Sequence, residues 1–414
     1  MDTSVDILLP DAGPADADAL DRRLARIGTP LGREPFAGDA LLFCERLSAA
    51  ILSDPVARRI PDLEAFAFWI RRKAVERLAT RFAEGAPPGT IRLPRGVILH
   101  LPPGNAAMMF AYGWILALLC GNHNIVRLSR RRPPEVGLLL RLIGAELSRL
   151  PDLARGQLFL SYGHDDQITA RLSAVCDLRA IWGGDDTVNR IRSIALPAQA
   201  TELTFADRFS MAAFQANAVL DLHDENCAAL ADRFFNDVFL FDQMACASPR
   251  IVVWIGEPSD CRAAAGRFYQ DLAAVAGRKG GDFDAGTLCA KLSYAFRSIL
   301  DWPVAGMRRY GGRLLVLTLT RFHDFRSDVM GGGTLFEIDL PGLGSLLPHV
   351  RRKDQTLVHF GFSDQDLRCF VGQLGGRGFD RLVPAGQALF FDPVWDGQDL
   401  LAAFSRPVSV LCSA

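Results

Sequence analysis

GVILHLPPGNAAMMFAYGWILALLCGNHNIVRLS, residues 96–129, contains a strand, a turn, a helix and a second strand in that order. Gly96 to Leu101 is short and apolar, and Pro102, Pro103 and Gly104 force a sharp turn. The apolar run from Ala106 to Cys120 is too short for the ~20 residues of a membrane span, so it reads as a buried core helix. Asn124 to Ser129 is the second strand. The alternation then continues with the helical PPEVGLLLRLIGAELSRL (133–150), the strand QLFLSY (157–162), a helix from Asp165 to Val175, the strand RAIW (179–182) and GGDDTVNRIRSI (183–194). Strand and helix repeated across short loops predict an α/β unit. Its sheet is parallel, covered on both faces, and takes ligands beyond the carboxyl ends of its strands.

Outward from this unit the pattern changes. Upstream, residues 1 to about 90 read as helical: ADALDRRLARI (17–27), LLFCERLSAAIL (41–52) and the amphipathic DLEAFAFWIRRKAVERLATRF (62–82), with apolar residues recurring at three and four. Downstream, from near Met211, a second alternating unit follows with weaker periodicity. It has a helix from Asp224 to Phe239, the strand IVVWI (251–255), a helix from Cys261 to Val275 and the glycine-rich loop GRKGGDFDAG (277–286). The strands RLLVLTL (313–319), TLFEIDL (334–340), QTLVHFG (355–361) and ALFFD (388–392) complete it. The tail ends in PVSVLCS (407–413), an apolar strand with no partner nearby in sequence, expected to pair with the sheet edge of another subunit.

Composition narrows the function classes. A chain of 414 residues is too long for one ordinary core, and 49% hydrophobic with 22% charged residues is the mix of a soluble globular protein. A net charge of -1 gives no reason to expect nucleic acid or an anionic membrane as partner. Lysine is confined to Lys73, Lys279, Lys291 and Lys353, which removes most candidates for a Schiff base. The nine cysteines are scattered without C-x-x-C spacing, as fits reduced thiols in the cytoplasm rather than disulfides or a metal site. The acidic N-terminus lacks the basic and apolar regions of a signal peptide. No G-x-G-x-x-G, P-loop, H-E-x-x-H or G-x-S-x-G motif is found.

Candidate residues follow the strands. Asn105 ends the turn after the first strand, Arg127, Ser129 and Arg130 follow the second, and Gly183, Gly184, Asp185 and Asp186 follow the fourth, where backbone N–H groups opening a helix can take a phosphate. Each of these also reads as an ordinary turn. In FLFDQMACASPRIVVW (239–254), Cys246 sits among small residues on a loop between a helix and a short buried strand, where a nucleophile is held still yet can be approached. The other reading of Cys246 is a small packed hydrophobe.

LPPGN (101–105), IWGGDDTVNRIR (181–192), FDQMACASPR (241–250), QTLVHFG (355–361) and FDRLVPAGQALFFDPVWDG (379–397) occur here in the order found in LuxC-type acyl-CoA (fatty acid) reductases. The chain resembles that family, a branch of the aldehyde dehydrogenase superfamily, over most of its length beyond residue 90.

The resemblance implies an aldehyde dehydrogenase-like α/β fold with two Rossmann-like parallel-sheet domains and a short C-terminal oligomerisation strand. The corresponding divisions are an NADP-binding domain with its helical layer at 1–213, a catalytic domain at 214–385 and a bridging segment at 386–414. It implies Cys246 as nucleophile, Asn105 as an oxyanion-hole amide, and Arg127 and Ser129 beside the adenosine ribose. Gly183, Gly184 and Asp186 fall at the pyrophosphate turn. Arg130 stands where a ribose-gripping Glu is common, and a guanidinium there suits the 2'-phosphate of NADPH. Leu203 to Arg208 has no Glu at the place of the base that hydrolyses the thioester in oxidative relatives, so acyl reduction is favoured. The implied activity is NADPH-dependent reduction of an acyl-CoA or other acyl thioester to the aldehyde, without a metal, in a cytoplasmic homo-oligomer. An adenylate-forming acyl-protein synthetase is the implied partner. An oxidative aldehyde dehydrogenase, a cysteine acyltransferase and a noncatalytic subunit are the alternatives.

Overall fold

The structure, a computed structural model, describes residues 5–28, 32–103, 108–280 and 283–411. Contacts divide the chain into two compact units, residues 1–206 with 398–414, and residues 207–397. The division falls at Ala206, ahead of the expected 213/214 boundary, because the strand from Phe209 to Gln215 is a central member of the second sheet. The segment expected as one piece from 386 is likewise split between the units after Gly397.

In the first unit the strands are β1 (Val5–Leu9), β2 (Gly13–Ala15), β3 (Thr90–Pro94), β4 (Val97–Leu101), β5 (His123–Leu128), β6 (Gln157–Ser161), β7 (Leu178–Trp182) and β8 (Thr201–Phe205). The helices are α1 (Ala17–Ile27), α2 (Gly38–Ser53), α3 (Pro61–Trp69), α4 (Arg72–Glu84), α5 (Met109–Leu119), α6 (Pro134–Leu147), α7 (Pro151–Ala154), α8 (Asp166–Ala174) and α9 (Asp185–Arg192). The main sheet runs β2-β1-β6-β5-β4-β7-β8, and its five strands from β6 to β8 are parallel. Their chain order across the sheet is 3-2-1-4-5, so the direction of winding reverses between β4 and β7. In open α/β sheets that crevice is where ligands sit. Helix α5 is apolar on all sides and buried nearly throughout, with Trp114 wholly enclosed.

The first ninety residues are not helical throughout. Val5–Leu9 and Gly13–Ala15 form a hairpin that extends the sheet edge antiparallel to β6, burying Val5 and Ile7. The long helix expected over 62–82 is interrupted at Ile70–Arg71, although the apolar spacing runs through that point unbroken. The tail finds a partner in its own chain. Its last strand, Ser405–Ser409, pairs antiparallel with β3, and Asn122 Nδ2 donates to the Phe404 carbonyl at 2.7 Å.

The second unit has strands β9 (Phe209–Gln215), β10 (Pro249–Ile255), β11 (Val304–Tyr310), β12 (Leu314–Leu319), β13 (Thr334–Leu340), β14 (Asp354–Phe360) and β15 (Arg381–Pro384). Its helices are α10 (Ala216–Leu220), α11 (Asp224–Phe239), α12 (Pro258–Lys279), α13 (Ala285–Asp301) and α14 (Asp364–Gly372). The sheet order is β11-β12-β13-β10-β9-β14-β15, parallel except for the β11–β12 pair. ALFFD is not a strand. The N–H groups of Gly386 and Ala388 go to the buried Asp237 carboxylate, and the Ala388 and Phe390 carbonyls accept from Arg381. Backbone groups held by side chains in this way are not available to a ladder.

Candidate functional site

Cys246 lies in the second unit, in the connection from α11 to β10, at the amino edge of the parallel sheet. Three residues before it, the backbone turns sharply: Phe241, Asp242 and Gln243 have φ of 53°, 50° and 64°. Non-glycine residues in this region cost about 1 kcal/mol or more each, so the turn persists only if its surroundings hold it. Gln243, wholly buried, supplies part of that hold. Its Nε2 donates to the carbonyls of Pro249 at 2.8 Å and Thr334 at 3.0 Å, and its Oε1 accepts from the N–H groups of Gly333 and Thr334, both at 3.0 Å.

The glycine run 331–333 makes this approach possible. Gly332 N–H donates to the Asp242 carbonyl at 2.8 Å, and a Cβ on Gly331 would strike that same carbonyl oxygen. Beneath the run, the buried Lys291 ammonium donates to the carbonyls of Arg313 at 2.6 Å and Gly332 at 2.5 Å, and burial lowers its pKa to about 8. Ser210 Oγ completes the fastening by donating to the Cys246 carbonyl at 2.7 Å.

Of the described cysteines, five are buried, and Cys246, Cys289 and Cys369 are exposed. Burial pushes the thiols of Cys44, Cys176, Cys227 and Cys261 up to about 12, which makes them inert packing groups. Cys246 differs in its surroundings. Gln355, wholly buried at the head of β14, points Nε2 at its sulfur from 3.4 Å, and the same nitrogen donates to Asp396. The thiol is raised to about 11, first by desolvation and then by the Asp396 carboxylate. The Gln355 and Ala247 N–H groups and the Arg208 charge work in the other direction. Although solvent reaches the residue, protein packed round the sulfur still favours the neutral thiol.

Asp396 is held from both sides. Arg381 stacks over the Trp395 ring at 4.4 Å, and Gly397, with φ of +71°, packs against Asp380, which is ion-paired with Arg208. Sequence reasoning assigned no role to Gln355, Asp396 or Gln243. The first two lay in plain sight at the head of QTLVHFG and near the end of the VWDG segment. His359, on the same strand as Gln355, is four residues or about 13 Å further along it.

In the first unit, the expected cofactor residues come to the carboxyl ends of β5 and β7, on either side of β4. Arg127 is half-buried over the Tyr162 ring at 5.2 Å and donates to the Tyr162 carbonyl at 3.2 Å. Ser129 is partly buried and its carbonyl accepts from Arg132 at 2.8 Å. Arg130 is exposed, beside Gly163. Gly184 is the N-cap of α9 and has no side chain to cap it. A Cβ on the preceding Gly183 would crowd Thr187 at 3.2 Å.

An uncapped helix start at the winding switch, with arginines at the end of β5 on the other side of β4, suits a phosphate-bearing dinucleotide. The exposed Asp185 and Asp186 add negative charge at that same helix start. Asn105 lies outside the described residues. Glu202, which with Asp207 is one of two acidic residues near the missing hydrolytic base in sequence, is engaged by the buried Arg179 at 2.8 Å and by Arg192 at 3.1 Å. Among the described residues, no group of His, Cys, Asp and Glu could hold a metal, and no helix is long and apolar enough to cross a membrane.

Residues 81–275 match the family model of the LuxC acyl-CoA reductases. The chain is 25% identical over 182 residues to long-chain acyl-protein thioester reductase 2 of Photobacterium leiognathi, a match covering 44% of this chain and 35% of that protein. It is 24% identical over 166 residues to the long-chain acyl-protein thioester reductase of Aliivibrio fischeri, covering 40% of this chain and 33% of that protein. The matched stretch therefore spans about a third of the length of either relative. In structure, the chain is similar to lactaldehyde dehydrogenase, with a TM-score of 0.67 at 13% identity, over 100% of this chain and 96% of that one. The fold is that of the aldehyde dehydrogenases.

Proposed function

We propose that the chain is a member of the LuxC acyl-CoA reductase family, whose model matches residues 81–275, and that it reduces an activated fatty acyl group to the aldehyde, with NADPH as reductant and a thioester on Cys246 as intermediate. The observation that carries this reading is the setting of Cys246, a solvent-reached residue on a strapped loop whose sulfur faces a buried amide donor at 3.4 Å.

In the proposed reaction the Cys246 sulfur attacks the acyl carbonyl, and its proton passes to the departing thiolate. We assign the oxyanion to the Cys246 backbone N–H, a donor worth about 3 kcal/mol, and keep for Asn105 the oxyanion-hole role that the family resemblance implies. The leaving thiol departs and the acyl group remains on sulfur. When bound, NADPH supplies the hydride that reduces this thioester. The hemithioacetal then collapses to aldehyde and free Cys246.

Gly183, Gly184 and the first turn of α9, with Asp186 beside them, are assigned to the pyrophosphate. Arg127 and Ser129 are assigned to the adenosine ribose and Arg130 to the 2'-phosphate. The engagement of Glu202 by two arginines supports reduction over hydrolysis, since it leaves that carboxylate no role as a base. We place the protein in the cytoplasm, where the free thiols of its described cysteines stay reduced. We assign the ribbon of β3 and the last strand, with Ile91 exposed on it, to contact between copies in a homo-oligomer.

The names of the two reductase relatives favour a second acyl donor, a protein-bound thioester, and we assign its delivery to the adenylate-forming synthetase that the family resemblance implies. The test is the intact mass of the protein after incubation with acyl-CoAs of increasing length, with and without NADPH, beside Cys246→Ala. An adduct that needs Cys246 and disappears with NADPH supports the reading. No adduct with any acyl-CoA turns the search to a protein donor, and an adduct indifferent to NADPH overturns the reductase in favour of an acyltransferase.

A further inference from the structure

The Gln355 side chain joins a sulfur and a carboxylate through one nitrogen. Nε2 has two hydrogens, one directed at Cys246 Sγ and one at Asp396. Oε1 accepts from the Thr356 hydroxyl at 3.5 Å. An amide rotated end for end would set its carbonyl oxygen against the Asp396 carboxylate, two acceptors face to face, and would have no proton to offer the sulfur. The aim of the amide is thus decided by what Asp396 accepts.

The geometry points to Gln355 as the donor that meets the Cys246 thiolate, and to Asp396 as the positioning residue that turns the N–H face of Gln355 toward it. The two act oppositely on the sulfur. The N–H bond stabilises the thiolate, and the carboxylate charge on the far side of that nitrogen opposes it.

The charged groups facing the sulfur are Asp396, Arg208, Arg381 and Arg250. Arg208 is ion-paired with Asp380, Arg381 lies over Trp395, and Arg250 donates to the Met330 carbonyl at 3.2 Å. Asp396 in turn is faced by Gln355, Arg208 and Arg381, and burial raises its pKa despite them. Its place is built by the chain around it. Trp395 is buried against Phe391 and Arg381, and Asp396 itself has φ of +49°.

The assignment rests on Cys246 as the nucleophile. Its test uses no acyl donor and no reductant, so its failure is distinct from failure of the acyl-adduct experiment. The rate of alkylation by iodoacetamide is followed against pH on the Cys246 peptide by mass, with the Cys289 and Cys369 peptides as internal controls.

Asp396→Asn keeps an oxygen to accept from Gln355 and removes the charge, so the Cys246 profile moves to lower pH. For each unit moved, the thiolate fraction rises about tenfold and its intrinsic nucleophilicity falls about threefold, a net gain of about threefold in rate at pH 7.5. Gln355→Leu removes the donor and moves the profile to higher pH. Asp396→Leu removes both charge and acceptor, frees the amide to turn, and gives a profile above that of Asp396→Asn. Equal profiles for Asp396→Asn and Asp396→Leu, in proteins with wild-type circular dichroism, overturn the positioning role. An unmoved profile in Gln355→Leu overturns the donor role.

Discussion

Gln243 grips Thr334 twice, accepting its N–H at Oε1 and donating Nε2 to its carbonyl, each at 3.0 Å, so that one side chain closes the head of β13 as a neighbouring strand would. The same side chain serves Gly333 and Pro249, and all four of its hydrogen bonds are buried. Gln243→Leu keeps the volume and leaves four backbone groups without partners. At about 1 kcal/mol each, it should lower unfolding free energy by about 4 kcal/mol in urea titration. A loss below about 1 kcal/mol would mean that water or a shifted loop replaces the side chain.

Gly333 should tolerate no side chain. Its φ is +74°, and a Cβ there would lie 2.5 Å from both the Arg313 carbonyl oxygen and a Phe239 ring carbon. A backbone oxygen cannot swing away as the end of a side chain can. Gly333→Ala should therefore cost about 2 kcal/mol or more. Gly306, with nothing within 4 Å of the added carbon, is the control, and its Ala variant should unfold within about 0.5 kcal/mol of wild type.

Acid should weaken the protein through His100. This histidine is buried on β4, bonded through Nε2 to Asn124 Oδ1 at 3.0 Å, and burial holds its pKa down at about 4. Its pKa is lower folded than unfolded, so between about pH 6.5 and 4 the unfolded chain binds the extra proton, and stability falls as pH falls through that window. The span corresponds to about 3 kcal/mol. His100→Leu should be less stable than wild type at pH 7, with Asn124 Oδ1 left without its partner, yet lose less on acidification. Parallel stability curves against pH would refute this origin.

The parts of the fold legible in the sequence were those where one signal acted alone. Helix α11 and strand β13 fall at the residues expected from periodicity, because each has a single buried face or core run. Val5 and Ile7 carry the two-residue alternation of a strand, but the first ninety residues were read by the helical spacing that dominates them. ALFFD had a strand's composition and lost its ladder to Asp237 and Arg381, residues 151 and 7 positions from Ala388 in the chain. Cys246 could be picked out because a cysteine among small residues between a helix and a strand is unusual. Gln355 and Asp396 could not, since a glutamine opening a strand and an aspartate before a glycine are the commonest of turn and edge residues. What distinguishes them is a bond between positions 41 residues apart.

Arg130 should set the choice between the two nicotinamide dinucleotides. It is exposed at the carboxyl end of β5, where a guanidinium can form a charge-assisted pair with a 2'-phosphate and a carboxylate would repel one. Arg130→Glu should lower the ratio of kcat/KM for NADPH over NADH by tenfold or more, since each 1.4 kcal/mol lost from the phosphate contact is tenfold. The effect should fall mostly on KM, because the phosphate lies far from the hydride and is bound alike before and during its transfer. It should also shrink as salt is raised, as expected for a contact made in solvent. An unchanged ratio would show that the 2' position is read elsewhere. An equal loss with both cofactors would place Arg130 in the support of β5 rather than against the ribose.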